Sequence, residues 1–280
     1  IPFDVELTLK PGEGKRAKLN GAPLRTAEQL RAELPALVFT PDRLVVVKGS
    51  PAARRAYFDR ALARLLPGRS SLPVEYAAAV GQRNAALRRV AARVSSLEAL
   101  APWTAQVAEL GAALVAAREE ALALLGPLFG AKAEALGLSG ARLHYDGRVA
   151  TVEELEARLP RDLERGITGA GPHLDDVGVL AGDPLAGDRD LRQFGSQGEQ
   201  RLAVLALVLA EAEALADRRG GPPLLLLDDV LSELDRTRRE ALVRLLPPGG
   251  QTLMTSTAAD ALAVEPDQLL LVSPGQVREG

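Results

Sequence analysis

Alternating apolar and polar positions near the start of the chain predict antiparallel strands. Residues 5–10 and 15–19 both alternate in this way, and Asn20-Gly21 supplies a hairpin turn directly after the second run. Two short apolar runs at residues 37–40 and 44–47 predict two further strands. The first part of the chain is therefore predicted to be a small antiparallel meander followed by two apolar strands.

The middle of the chain is rich in alanine and leucine and carries helix start and stop signals. Ser50 and Pro51 provide an N-cap and a proline at the first helical position, which predicts a helix over residues 52–66 that ends at Pro67-Gly68. Two longer helices are predicted over residues 74–94 and 103–125, each roughly 30 Å long. We expect these two to form a short antiparallel pair.

Strands and helices alternate in the last part of the chain. A strand at residues 143–145 and a helix at 152–163 come first, and a strand of four leucines follows at Leu224–Leu227. Because such a strand has no polar face, it is predicted to lie in the centre of a parallel sheet. A helix capped by Ser232 or Asp235 should end near residue 246, with strands at 251–257 and 269–272.

Two short stretches suggest phosphate chemistry. Ser196 and Glu199 have the spacing of a capping box, so a helix should begin there with its free N–H groups and positive dipole end available to an anion. Asp228 and Asp229 follow the four-leucine strand, at the end where parallel sheets bind ligands, and predict Mg²⁺ with an activated water. A stretch of either kind alone is more often a simple helix cap or a capping acid. The two together, in this order and roughly 30 residues apart, are compatible with far fewer kinds of protein.

Together the two stretches resemble an ATP-binding-cassette head. Residues 196–200, Ser-Gln-Gly-Glu-Gln, resemble the signature motif of that superfamily, residues 224–229 its Walker B strand, and residues 232–235 its D-loop. Residues 228–235 are most similar to the RecF family, which is related to Rad50 and SMC heads, and residues 49–59 and 168–176 point the same way. The resemblance covers most of the chain.

The resemblance implies a fold and a division into parts. The fold would be an α/β, ABC-type P-loop ATPase head of the Rad50/SMC kind, with an inserted helical lobe that carries a short antiparallel helix pair. Residues 1–48 would complete the first ATPase lobe, residues 49–138 would form the helical lobe, and residues 139–280 would hold the signature motif, Walker B strand and D-loop.

The resemblance also implies roles for the site residues. Asp228 would bind Mg²⁺, and Asp229 would orient or deprotonate the attacking water. Most members of the superfamily have the longer glutamate at the second position, which implies slow hydrolysis here. The cofactors would be ATP and Mg²⁺. The signature residues and two D-loop residues would act across a head-to-tail homodimer on ATP held by the other subunit; these are Ser196, Gln197, Gly198, Glu199, Gln200, Ser232 and Asp235.

Two expected features of such an ATPase are not found in the sequence. No G-x-x-x-x-G-K-[ST] phosphate loop occurs in these 280 residues. Since the family carries this Walker A loop near its beginning, we expect that an N-terminal portion of the native protein is absent and that this chain alone is inactive; a degenerate head that never binds ATP is the alternative. Transporter-type cassettes have a γ-phosphate-sensing histidine where this chain has Thr255-Ser256-Thr257, which leaves that sensor open.

The role of His173, in the 168–176 stretch, is left open by the sequence. It lies between glycines and the adjacent Asp175 and Asp176, so it could order its loop or bind a metal. One histidine with two adjacent aspartates is a sparse ligand set and favours the loop-ordering role.

Charge is distributed unevenly along the chain. The net charge is −3, yet residues 42–94 carry eleven Arg or Lys against three Asp or Glu. A local basic patch attracts phosphate backbones, although an ordinary solvated helix face would look the same in the sequence. The candidate DNA-binding residues are Arg54, Arg55, Arg60, Arg83, Arg88, Arg89 and Arg93, of which Arg89 and Arg93 are predicted to share a helix face.

The function implied by the resemblance is recombinational DNA repair. A weak, DNA-dependent ATPase would dimerise on ATP, bind double-stranded DNA and single/double-strand junctions, and help to load recombinase together with the mediators RecR and RecO, with RecA as an indirect partner. The alternatives are an SMC-like chromosome-architecture ATPase, which needs far longer arms, and a transporter subunit, which would carry the histidine. With no cysteine and no apolar run suited to a bilayer, a cytoplasmic protein without membrane contact is expected.

Overall fold

The computed structural model describes residues 4–10, 12, 14, 16–24, 34–182, 187–232, 234–257 and 265–280. The helices in this part of the chain are α1 Val45–Lys48, α2 Pro51–Leu65, α3 Leu72–Ala91, α4 Ala101–Ala135, α5 Val152–Ala157, α6 Leu159–Arg165, α7 Leu191–Phe194, α8 Gln197–Arg219 and α9 Arg236–Leu245. The strands are β1 Val5–Thr8, β2 Arg16–Leu19, β3 Ala22–Leu24, β4 Ala36–Phe39, β5 Arg142–Tyr145, β6 Val177–Ala181, β7 Arg189–Asp190, β8 Leu224–Leu227, β9 Thr252–Met254, β10 Leu270–Ser273 and β11 Gln276–Glu279.

The four-leucine strand β8 lies in the middle of a parallel sheet, as its composition predicts. It pairs with β4 on one side and β9 on the other, with Leu227 opposite both Phe39 and Met254. The pairing continues one residue further, because Asp228 N donates to Phe39 O at 2.9 Å and Thr255 N donates to Leu227 O at 3.0 Å. The residues that follow β8 and β9 are therefore side by side at one edge of the sheet.

The other described strands are antiparallel. Strands β1, β2 and β3 form the predicted meander, with the Asn20-Gly21 turn between β2 and β3; residue 15, where the second strand was expected to begin, lies outside the described residues. Strands β5, β6 and β7 form a second sheet that leads directly into α7 and α8. This second sheet positions the start of α8.

The two long helices α3 and α4 pack along each other, but their ends differ from the prediction. Helix α4 continues through Pro127 to Ala135, and at 1.5 Å per residue its 35 residues span about 52 Å. The helix survives the proline because buried side chains on both sides of it, such as Leu125 and Phe129, anchor it to the core. Helix α3 ends at Ala91 rather than 94, since Arg93 adopts a left-handed conformation with φ of 59°.

Two other predicted elements form differently. The apolar run at residues 44–47 was expected to be a strand and is helical, in a 3₁₀ turn at Pro41–Leu44 followed by α1. Burial of Val46 and Val47 outweighs the β preference of valine there. The helix predicted over 152–163 divides into α5 and α6, because Pro160 lies in the first turn of the second helix and cannot donate to a continuous one.

One hydrophobic core runs through the described residues, and α8 lies within it. All side chains from Leu202 to Ala210 are buried, which is the pattern of a helix surrounded by protein on every side. The core includes Leu37, Leu114 and Leu225, one from each of the three predicted parts, so the boundaries at 48 and 138 stay a prediction. No described helix combines the length and the apolar character needed to cross a membrane.

Candidate functional site

The carboxyl end of β8 presents the two adjacent aspartates. Asp228 is exposed, and its Oδ1 accepts a 2.6 Å hydrogen bond from the hydroxyl of Thr255. Asp229 has a left-handed backbone with φ of 47°, and its N–H donates to the same hydroxyl at 3.0 Å. Asp229 Oδ1 is shielded from solvent and has no hydrogen-bond partner among the described residues. A shielded carboxylate oxygen without a partner is the sort of group that a bound ligand or water would satisfy.

Thr255 is a site residue that the sequence analysis did not identify. It was noted only as a departure from the expected histidine. The signal that could have found it is its position directly after β9, since the carboxyl ends of neighbouring parallel strands meet at one edge.

The helix α8 begins with the predicted capping box. The Ser196 hydroxyl accepts from Glu199 N at 3.2 Å, and Glu199 Oε2 accepts from Ser196 N at 2.8 Å. Ser196, Gln197 and Gly198 are exposed, and a Cβ placed on Gly198 would meet no atom within 4 Å. The start of this helix is therefore open to a ligand or a second molecule.

The two last residues of the signature motif act within the chain. Gln200 is buried, and its amide donates to Leu191 O at 2.8 Å and to Gly195 O at 3.3 Å. This corrects the expectation that Gln200 contacts nucleotide, since its side chain instead holds the turn before α8. Glu199 forms an ion pair with Arg189 of β7, and this pairing holds the pKa of Glu199 at about 2.

This low pKa predicts an acid-sensitive helix start. A carboxyl group whose pKa falls from 4.5 to about 2 on folding stabilises the protein above pH 4.5, and the contribution is lost as the pH falls towards 2. Glu199→Gln keeps an oxygen for the Ser196 N–H but loses the charge. We expect the variant to melt at a lower temperature than the unmodified protein at pH 7, and the difference to shrink below pH 4.5.

Thermal unfolding between pH 7 and pH 3 checks this expectation. Glu240→Gln is the matched control, because its partner Arg236 is 93% exposed and surface pairs contribute little. A melting difference that stayed constant down to pH 3 would show that the Glu199 charge is not what stabilises this helix start.

The loop after Asp229 connects the acid pair to α9. The Ser232 hydroxyl donates to Asp229 O at 3.0 Å, and Asp235 caps α9 by accepting from Arg238 N at 2.9 Å. Glu233 of the predicted D-loop lies outside the described residues. A cavity of about 110 Å³ between this loop and α8 is lined by Asp229, Ser232 and Leu202, among others.

The exposed start of α8 and the acid pair are not bonded to each other within the chain. Among the described residues, no hydrogen bond joins Ser196, Gln197 or Gly198 to Asp228 or Asp229. Asp228 and residues 196–198 are exposed, so each group can contact a ligand.

Burial removes two arginines from the DNA-binding candidates. Arg54 is 2% exposed and pairs with Asp176, with Nε to Oδ1 at 2.8 Å. Arg83 is fully buried, with Nη1 at 2.8 Å from Asp162 Oδ2 and 3.0 Å from Thr168 Oγ1. Their guanidinium groups are used inside the protein and cannot reach a DNA backbone, so the expectation for these two was wrong.

The remaining arginine candidates differ in exposure. Arg60, Arg88, Arg89 and Arg93 are exposed, whereas Arg55 is half-buried and donates to Asp175 O. Arg88 Nη1 also donates to Gly166 O at 3.2 Å. Arg93 lies beyond the end of α3, so the expected helix face shared by Arg89 and Arg93 does not form, although both side chains stay exposed.

His173 orders its loop, as the sequence analysis favoured. Because Thr168 O can only accept, His173 Nε2 donates to it at 2.9 Å, and Tyr76 OH donates to Nδ1 at 2.8 Å. Burial lowers the pKa of His173, which favours this neutral form. Among the described residues, no group of three or more His, Asp or Glu side chains could hold a metal ion.

Comparison with solved structures defines the class of protein. The Smc head bound to the C-terminal winged-helix domain of ScpA matches with a TM-score of 0.55 and 14% identity over 99% of this chain and 66% of that chain, a likeness of fold alone. The recombination mediator protein RecF with ATP, of the RecFOR pathway, matches with a TM-score of 0.79 and 26% identity over 99% of this chain and 76% of that chain. The architecture is that of an ABC-type ATPase head, as predicted.

Curated relatives then give the family. The DNA replication and repair protein RecF of Lachnoclostridium phytofermentans is 31% identical over 288 residues, which cover 100% of this chain and 78% of the relative. RecF of Anaeromyxobacter sp. is 39% identical over 273 residues, which cover 90% of this chain and 70% of the relative. No family model matches the chain. The chain belongs to the RecF family of DNA replication and repair proteins.

Proposed function

We propose that this protein is an ATP-dependent DNA-binding protein of recombinational repair, in which ATP joins two heads and the joined heads bind DNA. The observation that carries the proposal is that one subunit leaves two groups open to a ligand, the exposed Asp228 beside the unpartnered Asp229 Oδ1 and the exposed start of α8. The RecF–ATP structure with the same fold supports ATP as the molecule that lies between them.

The residues at the carboxyl end of β8 fit Mg²⁺ and ATP. Asp228 is exposed, so one carboxylate oxygen can bind the metal while the other accepts from Thr255. Bound ATP would supply the electrophilic phosphoryl group, and bound Mg²⁺ would neutralise its developing charge. The unpartnered Asp229 Oδ1 can accept the proton of an attacking water, and its short side chain supports slow hydrolysis.

The open start of α8 fits the terminal phosphate of ATP held by a second subunit. Ser196 already accepts from Glu199 N, so its hydroxyl hydrogen stays available to a phosphate oxygen. The positive end of the 23-residue helix α8 favours an anion at that place. We therefore propose a head-to-tail homodimer with two nucleotides at the interface, in which Ser232 and Asp235 also face the other subunit.

The exposed arginines of the helical lobe support DNA binding. Arg60, Arg88, Arg89 and Arg93 are exposed within the most basic part of the chain. Contacts of this type go to phosphates and carry little base preference, which suits duplex DNA and single/double-strand junctions. Joint action with RecR and RecO, and with RecA indirectly, is part of the same proposal.

The salt dependence of DNA binding tests the basic surface. We expect Arg89→Ala combined with Arg93→Ala to weaken duplex binding by the ATP-bound, full-length natural protein. Each lost phosphate contact lowers the slope of log affinity against log salt by about 0.9, so the slope should flatten by roughly 1.8. Equilibrium titrations at several salt concentrations measure this slope.

A control with the same loss of charge makes this result specific. Arg148 and Arg278 are exposed and lie outside the helical lobe, so Arg148→Ala with Arg278→Ala should leave the slope unchanged. If the Arg89/Arg93 variant kept the slope of the unmodified protein, these residues would be an ordinary solvated surface and DNA would be bound elsewhere.

A further inference from the structure

Thr255 bonds both members of the acid pair, and we propose that it is the positioning residue that fixes Asp228 and Asp229 for ATP hydrolysis. Its hydroxyl lies 2.6 Å from Asp228 Oδ1 and 3.0 Å from Asp229 N. This inference rests on the proposed ATPase function, and it assigns the hydrolytic geometry to a residue outside the signature motif, the Walker B strand and the D-loop.

The direction of both hydrogen bonds is determined by their partners. An ionised carboxylate can only accept, so the Thr255 hydroxyl donates its single hydrogen to Asp228. A backbone N–H can only donate, so the same oxygen accepts from Asp229. The hydroxyl therefore has one arrangement that satisfies both neighbours, and a side chain without a hydroxyl satisfies neither.

The main chain of Thr255 is itself fixed by the sheet. Its N–H donates to Leu227 O at 3.0 Å, which continues the β8–β9 pairing by one residue. The hydroxyl is thus carried by a residue whose backbone is bonded to the sheet. Its two hydrogen bonds hold the aspartates in a defined position relative to that sheet.

Asp229 needs this support because of its backbone conformation. A φ of 47° is unusual for a residue other than glycine and persists where the surroundings determine it. Thr255 holds its N–H, and the Ser232 hydroxyl donates to its C=O at 3.0 Å. Both backbone groups of the residue are thus held, which fixes the main chain from which the shielded carboxylate projects.

The hydrogen bond from Thr255 to Asp228 also makes the two oxygens of that carboxylate different from each other. Oδ1 already accepts from the Thr255 hydroxyl, so Oδ2 has the larger free acceptor capacity for a metal ion. Outer hydrogen bonds of this kind orient a ligand and change metal affinity or activity by about 10- to 100-fold.

Two substitutions at this position separate the hydroxyl from the shape of the side chain. Thr255→Val keeps the branched shape and removes the hydroxyl, whereas Thr255→Ser keeps the hydroxyl. Thr8→Val is the control, because Thr8 lies in strand β1 of the antiparallel meander, outside the sheet that carries the acid pair. All three are made in the full-length natural protein.

The first measurement needs no nucleotide. Amide hydrogen exchange at Asp229, followed by NMR, should be faster in Thr255→Val and unchanged in Thr255→Ser and Thr8→Val. The second is ATP turnover with Mg²⁺, where Thr255→Val should lower kcat by about 10- to 100-fold with little change in KM for ATP, and Thr255→Ser should restore it. The third is the Mg²⁺ concentration needed to bind a non-hydrolysable ATP analogue, which should rise only in Thr255→Val.

The outcomes distinguish this inference from the function on which it rests. Suppose that the unmodified protein hydrolyses ATP and that Thr255→Val shows the same amide exchange at Asp229 and the same ATP turnover. The positioning role is then wrong, and the ATPase proposal stands. If Thr255→Ser loses activity as fully as Thr255→Val, the residue acts through packing and the inference is again wrong. If the unmodified protein does not bind Mg²⁺ and ATP at all, both proposals are overturned.

Discussion

We expect Ser196→Arg to prevent the proposed ATP-driven dimerisation of the full-length protein while nucleotide binding by each subunit stays intact. Ser196, Gln197 and Gly198 are exposed, so a long side chain is accommodated in the monomer. In the dimer the same side chain would fill the space that the start of α8 leaves for the other subunit's phosphate. Removing a central contact of this kind costs about 2–4 kcal/mol, which weakens dimerisation by roughly 30- to 1,000-fold.

Ser196→Ala is the matched control for this experiment. Both substitutions remove the side chain that caps α8 by accepting from Glu199 N, at a cost of about 1 kcal/mol to the helix, but only arginine adds bulk at the interface. Sedimentation velocity with and without ATP and Mg²⁺ should show a monomeric arginine variant and an alanine variant that still dimerises. An arginine variant that dimerised normally on ATP would rule out a signature motif acting on the other subunit.

Substitutions of the two aspartates should have opposite effects on the lifetime of the ATP-bound dimer. Asp228→Ala removes the proposed metal ligand, so Mg²⁺-ATP binding should weaken by more than about tenfold and the dimer should not persist. Asp229→Asn keeps the side-chain shape, and asparagine also tolerates the left-handed backbone observed here. Because only the base is lost, turnover should fall by about 10²- to 10⁴-fold and the dimer should be trapped with ATP bound.

Nucleotide binding, turnover and dimer dissociation measured on the same preparations separate the two roles. Asp217→Asn provides the control, since that carboxylate is exposed near the opposite end of α8. Equal loss of nucleotide binding in the Asp228 and Asp229 variants would show that Asp229 is only a structural acid. A normal turnover rate in Asp229→Asn would exclude it as the base.

Interactions between residues close in the sequence were predicted well. The capping box joins Ser196 and Glu199, three residues apart, and the Asn20-Gly21 turn joins two adjacent strands. The composition of β8 was enough to predict its central place in a parallel sheet, because a strand without a polar face must be covered on both sides. Where such local signals conflicted with burial, as at Val46 and Val47, burial determined the structure and the strand prediction was wrong.

The sequence by itself thus determined the two motifs and the order in which they occur, since these depend on local spacing and hydrophobic pattern, and the family resemblance that those motifs carry implied the fold class. Only the tertiary structure decided which arginines are available to DNA, because Arg54 and Arg83 are neutralised by Asp176 and Asp162, 122 and 79 residues away. It also decided that Thr255 belongs with Asp228, 27 residues earlier. Charged and hydroxyl groups are visible in a sequence, but their partners are determined by the packing of elements distant along the chain, and a position at a strand end indicates only which groups could meet.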